Sequence, residues 1–378
     1  MDFGLTDEQR MLQESVRSVM KREVPISLVR HMDEANAWHD PHLWDVMAKS
    51  GWLALGLPKE YGGEDGDSIG QALLCSEAGR AQAPSLTTYL STIVPCAWLI
   101  AVAGTVEQKQ RYLPAVTSGK RRLALAIAEP GRTVEPGSVQ LAAHHQAKGY
   151  LLSGTKVSVY GGDGAETFLW VARQPERDAG AALGVFLVDA NVPGVLARPI
   201  PTMTPEGQVE VELRNVYVPG DALLGGVGDI TPDLSQVLDR AALLRCAAAE
   251  GTARAAFEMT VEYAKRRVQF DKPIGSFQAV QHRLANACFD LEAAWGVLWE
   301  AVWSLDQPGD HRLIREVAKA SVIQAMERVG EEAHVVHGGI GFLRQYDLHL
   351  RTKRMLSATP YIGTVSDSRE ALAKAMGL

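Results

Sequence analysis

A mostly α-helical protein with a central β domain is the fold class this sequence predicts, and three observations carry it. Residues 1–120 space their apolar side chains at helical intervals. From Arg121 the pattern changes to short apolar stretches separated by Gly, Pro, Asp and Asn, the signature of strands and turns. From Thr231 long helical patterns rich in Ala, Arg, Glu and Leu return. The 378 residues, 46% hydrophobic and 22% charged, can bury a substantial core in two or three structural units, taken as 1–120, 121–230 and 231–378.

In the first segment Thr6, followed by Asp7 and Glu8, is placed to cap the first helix, and "DPHLWDVMAKSGWLALGLP" reads as a helix, a glycine stop and a loop. Ala81 to Val106 carries no charge and is long enough to cross a bilayer. Pro84, Pro95 and the Gln, Ser and Thr of its first half predict instead a buried helix or helix pair, with no membrane span. Such a wall can also line an apolar ligand pocket. The second segment contains the strand-like runs "LALAIAE", "YLLSGTKVSVY", "TFLWVAR", "GVFLVDA" and "VEVELRNVYV". The third is interrupted by "FDKPIGSF", "DQPGDH" and "HGGIGF".

A net charge of -7 argues against a general nucleic-acid binder. The four cysteines are far apart and form no CxxC pair, which fits a reducing cytoplasm better than a disulfide framework or a zinc site. The N-terminus starts acidic, without the basic start and apolar run of a signal peptide. His334 with His337, and His144 with His145, lack carboxylate or cysteine partners at ligand spacing, so no metal is expected. Trp295, Trp299 and Trp303 share a helix face and read as core or subunit packing. No GxSxG or HExxH is present.

"GGIG" at Gly338–Gly341 and "GGVG" at Gly225–Gly228 can each let a backbone approach a phosphate, yet neither follows a strand in a GxGxxG arrangement, and plain turns explain both. The stretch "VEYAKRRVQFDKPIGSFQAVQHRLA", Val261 to Ala285, is more informative. Arg267 can hold a phosphate, Phe270 a flat ring and Gln278 a polar edge; a helical hairpin with a satisfied arginine is the plainer reading.

With "GWLALGLPKEYGG", "LALAIAEP", "GYLLSGTK", "YAKRRVQFDKPIGSFQAVQH" and "HGGIGF" in this order, the chain resembles the acyl-CoA dehydrogenase family over nearly its whole length. The resemblance implies an N-terminal α domain, a middle β domain and a C-terminal four-helix α domain. It also implies FAD, an acyl-CoA substrate, and electron-transfer flavoprotein or a similar acceptor as partner. The assembly it implies is a homo-oligomer, or a heterotetramer with a paralogous subunit. In the family's reaction a carboxylate removes the α proton of the thioester while the β hydrogen leaves as hydride to the flavin. A main-chain N–H and a ribityl hydroxyl stabilise the developing enolate. Carried over by motif, Arg267, Phe270 and Gln278 reach a neighbouring subunit's FAD with help from Gly338 and Gly339. Leu125, Ile127, Ala128, Ser158 and Tyr160 lie beside its ring system.

This chain departs from the family pattern at Ala128, Ser158 and Val335, each of which removes a side-chain contact to the flavin. The loop "EPGRTVEPGSVQLAA" resembles the divergent branch that includes steroid side-chain dehydrogenase subunits. The usual base, the Glu of a Y-E-G-T turn, is replaced by Ile362 in Tyr361-Ile362-Gly363-Thr364. The alternative base position in the family falls at about Ala241, which is no carboxylate either. Asp239 and Arg245 are the nearest candidates for a role in catalysis. An FAD-dependent acyl-CoA dehydrogenase with an unidentified base is the first expectation, and a non-catalytic structural subunit of a heteromeric acyl-CoA dehydrogenase the second. A flavin-dependent oxygenase on the same fold is a third.

Overall fold

The computed structural model describes residues 4–174 and 182–378. In chain order the elements are α1 (Asp7–Glu23), α2 (Ile26–Glu34), α3 (Pro41–Lys49), α4 (Ser68–Ala81) and the short α5 (Leu86–Thr88). A π-helical segment (Tyr89–Ala97), α6 (Trp98–Ala103) and α7 (Val106–Thr117) follow. The strands are β1 (Leu123–Ala126), β2 (His144–Gln146), β3 (Gly149–Val159), β4 (Thr167–Arg173), β5 (Leu183–Asp189), β6 (Val195–Pro199) and β7 (Val209–Pro219). The chain ends with α8 (Thr231–Arg266), the β8 (Val268–Gln269) and β9 (Lys272–Pro273) hairpin, α9 (Gln278–Trp303), α10 (Arg312–His337), α11 (Leu348–Ile362) and α12 (Val365–Ala375). Helices, strands, helices is thus the observed order, with the expected fold class.

Two compact units interleave along this order: residues up to Ala35 with Asp67–Leu86 and Ala242–Leu378, and Asn36–Gly66 with Thr87–Ala241. The helical unit holds α4 against α8 at two reciprocal glycines. A Cβ on Gly79 would sit 2.1 Å from the Ala248 carbonyl oxygen, and one on Gly251 would sit 2.0 Å from that of Ser76. Only glycine permits backbones so close. Ser76 Oγ donates across the same seam to the buried Glu250, which Arg254 also reaches within α8, and Arg17 of α1 donates to the buried Glu77 of α4. Trp295 and Trp299 stack along α9 with centroids 4.5 Å apart, as their spacing predicts, and Trp299 is buried.

The second unit contains two sheets, β1-β4-β5 and β2-β3-β7-β6, with β1 parallel to β4 and the remaining pairs antiparallel. Their facing side chains, among them Leu152, Phe168, Trp170, Phe186 and Val211, make one core. β4 and β5 are buried along nearly their whole length, hence their unbroken apolar runs.

Thr6 caps α1 as expected, and Gln9 completes a reciprocal capping box with it. Asp40 does the same for α3 through a 2.7 Å bond from Leu43 N. The charge-free segment runs helically from Leu86 to Ala103 and is 78% buried. Pro95 does not divide it. The helix widens to the π form there, and the Cys96 thiol donates to the Ser91 carbonyl at 3.2 Å, the oxygen that residue 95 would have served in an α-helix. The Pro-Tyr-Ile-Gly-Thr stretch is likewise less of a turn than it reads: Pro360 to Ile362 finish α11, and the chain bends at Gly363, with φ 103°.

Candidate functional site

Helix α8 carries Asp239, Ala241, Arg245 and Tyr263 in succession, and Arg267 directly follows its last residue. Beyond its end, Arg267 N donates to Tyr263 O and Ile274 N to Arg267 O, so Arg267 stands at the root of the β8–β9 hairpin. Neighbouring Lys265 and Arg266 both pair with Glu262, whereas the Arg267 guanidinium is exposed and has no carboxylate partner among the described residues. The hairpin turns through Phe270 and Asp271, at φ 51° and 62°. Left-handed backbone is strained for a phenylalanine, and this one is 87% exposed, so the fold maintains a costly turn that presents an aromatic ring to solvent. Gln278, also exposed, opens α9 immediately afterwards.

The glycine turn lies against the same part of the helical unit. His337, the last residue of α10, stacks on Tyr263 with centroids 4.4 Å apart. Its Nδ1 lies 2.7 Å from Ala333 O and its Nε2 3.0 Å from the Tyr346 hydroxyl. Burial lowers the pKa of His337, so the neutral ring donates from Nδ1 and accepts at Nε2. Gly338 follows the His337 side of this stack, and Arg267 N donates to the carbonyl oxygen of its Tyr263 side. Gly338 has φ 61°, and a Cβ on it or on Gly339 would meet nothing within 4 Å, so this backbone is open to a ligand. Val335, 55% exposed, lines an adjoining groove of about 950 Å³ together with His334, Phe342 and Leu356. "GGVG" behaves otherwise: Gly225 N donates to Gln108 Oε1, and a Cβ there would strike Ala103 O at 2.3 Å, which makes it a packed structural turn.

In the sheet unit, Leu125 belongs to β1, while Ile127 and Ala128 continue beyond its end and are 5% exposed. Val157 N donates to Ala128 O at 2.9 Å. Ser158 is exposed at φ 51°, within a shift of the β3–β7 register between Lys156 and Val159. Tyr160 reaches Thr87 through its hydroxyl at 3.4 Å. Two residues not singled out by motif stand behind this edge. Lys156, fully buried, donates from Nζ to Ile127 O and to Glu129 Oε1, each at 2.9 Å. The signal was available, because alternation along β3 places Lys156 on the inward face with Tyr150 and Leu152.

Of the catalytic candidates, Ile362 is 3% exposed and Asp239 half-buried. Arg245 is 8% exposed, with its guanidinium carbon 4.5 Å from the centroid of the Tyr361 ring.

The helical unit thus presents an exposed arginine, an aromatic ring and open glycine backbone, and the sheet unit a tightly held strand edge. Descriptions of the acyl-CoA dehydrogenase N-terminal, middle and C-terminal domains match residues 6–120, 124–216 and 233–377. The chain is 29% identical over 350 residues to the probable acyl-CoA dehydrogenase YngJ of Bacillus subtilis, covering 92% of each. It is 30% identical over 313 residues to acyl-CoA dehydrogenase FadE12 of Mycobacterium tuberculosis, covering 82% of this chain and 80% of that one. It superposes with a TM-score of 0.87 and 28% identity on a chain of the ChsE4-ChsE5 complex from Mycobacterium tuberculosis, covering 100% and 99% of the two chains. The chain belongs to the acyl-CoA dehydrogenase family, whose members are FAD flavoproteins.

Proposed function

We propose that this chain is an FAD-dependent acyl-CoA dehydrogenase subunit acting on the α,β bond of an acyl-CoA thioester, with its cofactor shared between neighbouring subunits. The observations that carry the reading are an exposed Arg267 with no carboxylate partner among the described residues and an open Gly338–Gly339 backbone, the first bonded through its N–H to Tyr263 O and the second following His337, which stacks on Tyr263. An exposed planar cation and bare main chain suit a diphosphate, and the solvent-facing Phe270 and Gln278 suit contact with a second subunit's cofactor. In this reading Leu125, Ile127, Ala128, Ser158 and Tyr160 run along the ring system. Ala128 and Ser158 contribute there mainly through their backbones, and Val335 offers no polar side chain. When bound, FAD supplies the two-electron acceptor for the β hydrogen. Electron-transfer flavoprotein or a similar carrier would reoxidise it.

The position of the usual base holds Ile362, which cannot take a proton, and Ala241 cannot either. Arg245 can hold an anionic acyl group or narrow the entrance, and Asp239 is the nearest alternative carboxylate on α8. The isoleucine also favours a second reading, in which this chain completes the flavin site of a catalytic paralogue in a heteromeric assembly. Likeness to a chain from a two-protein complex supports it.

Visible spectroscopy, FAD titration and light scattering test the proposal. A yellow protein, dimeric or larger, is expected. A colourless monomer that takes up no added FAD overturns the reading. Acyl-CoA-dependent bleaching that appears only after co-expression with a paralogue selects the second reading.

A further inference from the structure

We propose that Lys156 and Glu129 act as a positioning pair that sets the backbone edge Ile127–Ala128 for the flavin. The inference rests on reading that edge as flavin-facing.

A fully buried lysine is rare and, as a stabilising device, poor, because desolvating an ion pair consumes most of its Coulomb gain and apolar replacements are often as stable. What such a pair provides is geometry. Lys156 Nζ holds Ile127 O and the Glu129 carboxylate at 2.9 Å each, and the next residue, Val157, donates to Ala128 O at 2.9 Å. Three consecutive residues beyond β1 are therefore tied to two consecutive residues of β3. Glu129 also accepts from Gln140 N and Leu141 N at 3.0 Å, which draws the loop after Pro130 onto the same point.

The next position of β3 is where the ladder breaks. Ser158 takes a left-handed φ of 51°, and the register with β7 shifts between Lys156 and Val159. Bulges and strained backbone gather where a strand must aim a group at a ligand. Lys156 thus anchors, from inside the sheet, both the end of β1 and the start of the bulge. Burial pulls the lysine down to about 8, opposed by Glu129. The hydrogen bonds of Leu141, Lys156 and Gln140 outweigh burial at Glu129 and hold it below the usual carboxylate range. The 2.9 Å contact of Nζ with Oε1 places the two groups as a salt bridge.

The test uses Lys156→Met, Glu129→Gln and the double variant Lys156→Met/Glu129→Leu, with FAD titration, visible band shape, reduction potential and thermal melting as readouts. Lys156→Met leaves the buried Glu129 with the Gln140 and Leu141 N–H groups and the half-exposed Arg132 at 3.7 Å but without its buried cation, and is expected to lose stability, with FAD affinity down about tenfold, the worth of one charged hydrogen bond. The double variant removes both charges and is expected to regain most of the stability while FAD affinity stays about tenfold weak and the visible band and potential stay displaced. A double variant that binds FAD with wild-type affinity, spectrum and potential overturns the inference, since the pair would then only support the fold. If the wild-type protein takes up no FAD, the flavin reading itself fails, and that result is distinct from unaltered binding in the variants.

Discussion

Arg245 lies over the ring of Tyr361, 4.5 Å from guanidinium carbon to ring centroid, and Tyr361 is the chain neighbour of the buried Ile362. A cation held beside the position proposed above for the base makes a test there two-sided. Ile362→Glu is expected to raise anaerobic flavin bleaching by straight-chain acyl-CoA by about 10²- to 10⁴-fold, the usual worth of a general base. If the gain appears only when Arg245→Leu is added, the arginine is the obstruction or a pairing partner that neutralises the new carboxylate. Fast bleaching by the wild-type chain would sink the missing-base idea, and Asp239→Asn would be assayed next.

Arg267→Lys keeps the charge and loses the planar fork. FAD affinity of the apoprotein is expected to fall about tenfold, with the melting temperature unchanged, because the guanidinium has no carboxylate partner among the described residues. Equal affinity in mutant and wild type would make Arg267 a surface residue only.

Phe270→Gly should separate folding from binding. Glycine relieves the left-handed strain at φ 51°, worth about 1 kcal/mol, and the 87% exposed ring sacrifices little burial apart from its edge contact with Phe277. Chemical denaturation should therefore show unchanged or slightly raised stability, while FAD titration shows weaker uptake. A clear loss of stability would show that the ring is needed for the hairpin itself.

Gly251→Ala places a methyl 2.0 Å from the Ser76 carbonyl oxygen, where a backbone and not a flexible side chain must move. Separating α4 from α8 is expected to cost about 2 kcal/mol or more, against the small gain that alanine brings to an open helix. Wild-type stability in denaturant would mean that the seam is plastic.

Acid should destabilise the sheet unit through His39. Burial, and then the charge of Arg122, lower its pKa from 6.5 to about 4, and the neutral ring meets Thr88 Oγ1 at 2.8 Å. The unfolded chain takes up this proton as pH falls through 6.5 and the folded chain only near 4, so stability present at pH 7 is lost across that window. His334, His337 and His349, also lowered by burial, contribute a loss of the same sign in the helical unit. Denaturant melts at pH 7, 5.5 and 4.5 should show a shallower decline for His39→Gln than for wild type; parallel declines would remove His39 from this account.

What the sequence determined by itself was whatever rests on short-range periodicity and spacing. Helix and strand periods are local, so the helices–strands–helices order was legible, as were the Thr6 cap, the shared face of Trp295 and Trp299, and the helix–turn–helix that carries Arg267, Phe270 and Gln278, though not the short β-hairpin within its turn. That an isoleucine, Ile362, stands between Tyr361 and Gly363 is likewise read from the sequence directly. The tertiary structure alone decided which distant residues meet. Lys156 reaches Glu129 across 27 positions of chain, and Ser68 bonds Asp306 across 238. Tyr263 finds His337 only because α8 packs against the end of α10. Buried polar groups must be satisfied by whatever the fold brings beside them, and no local pattern records that partner.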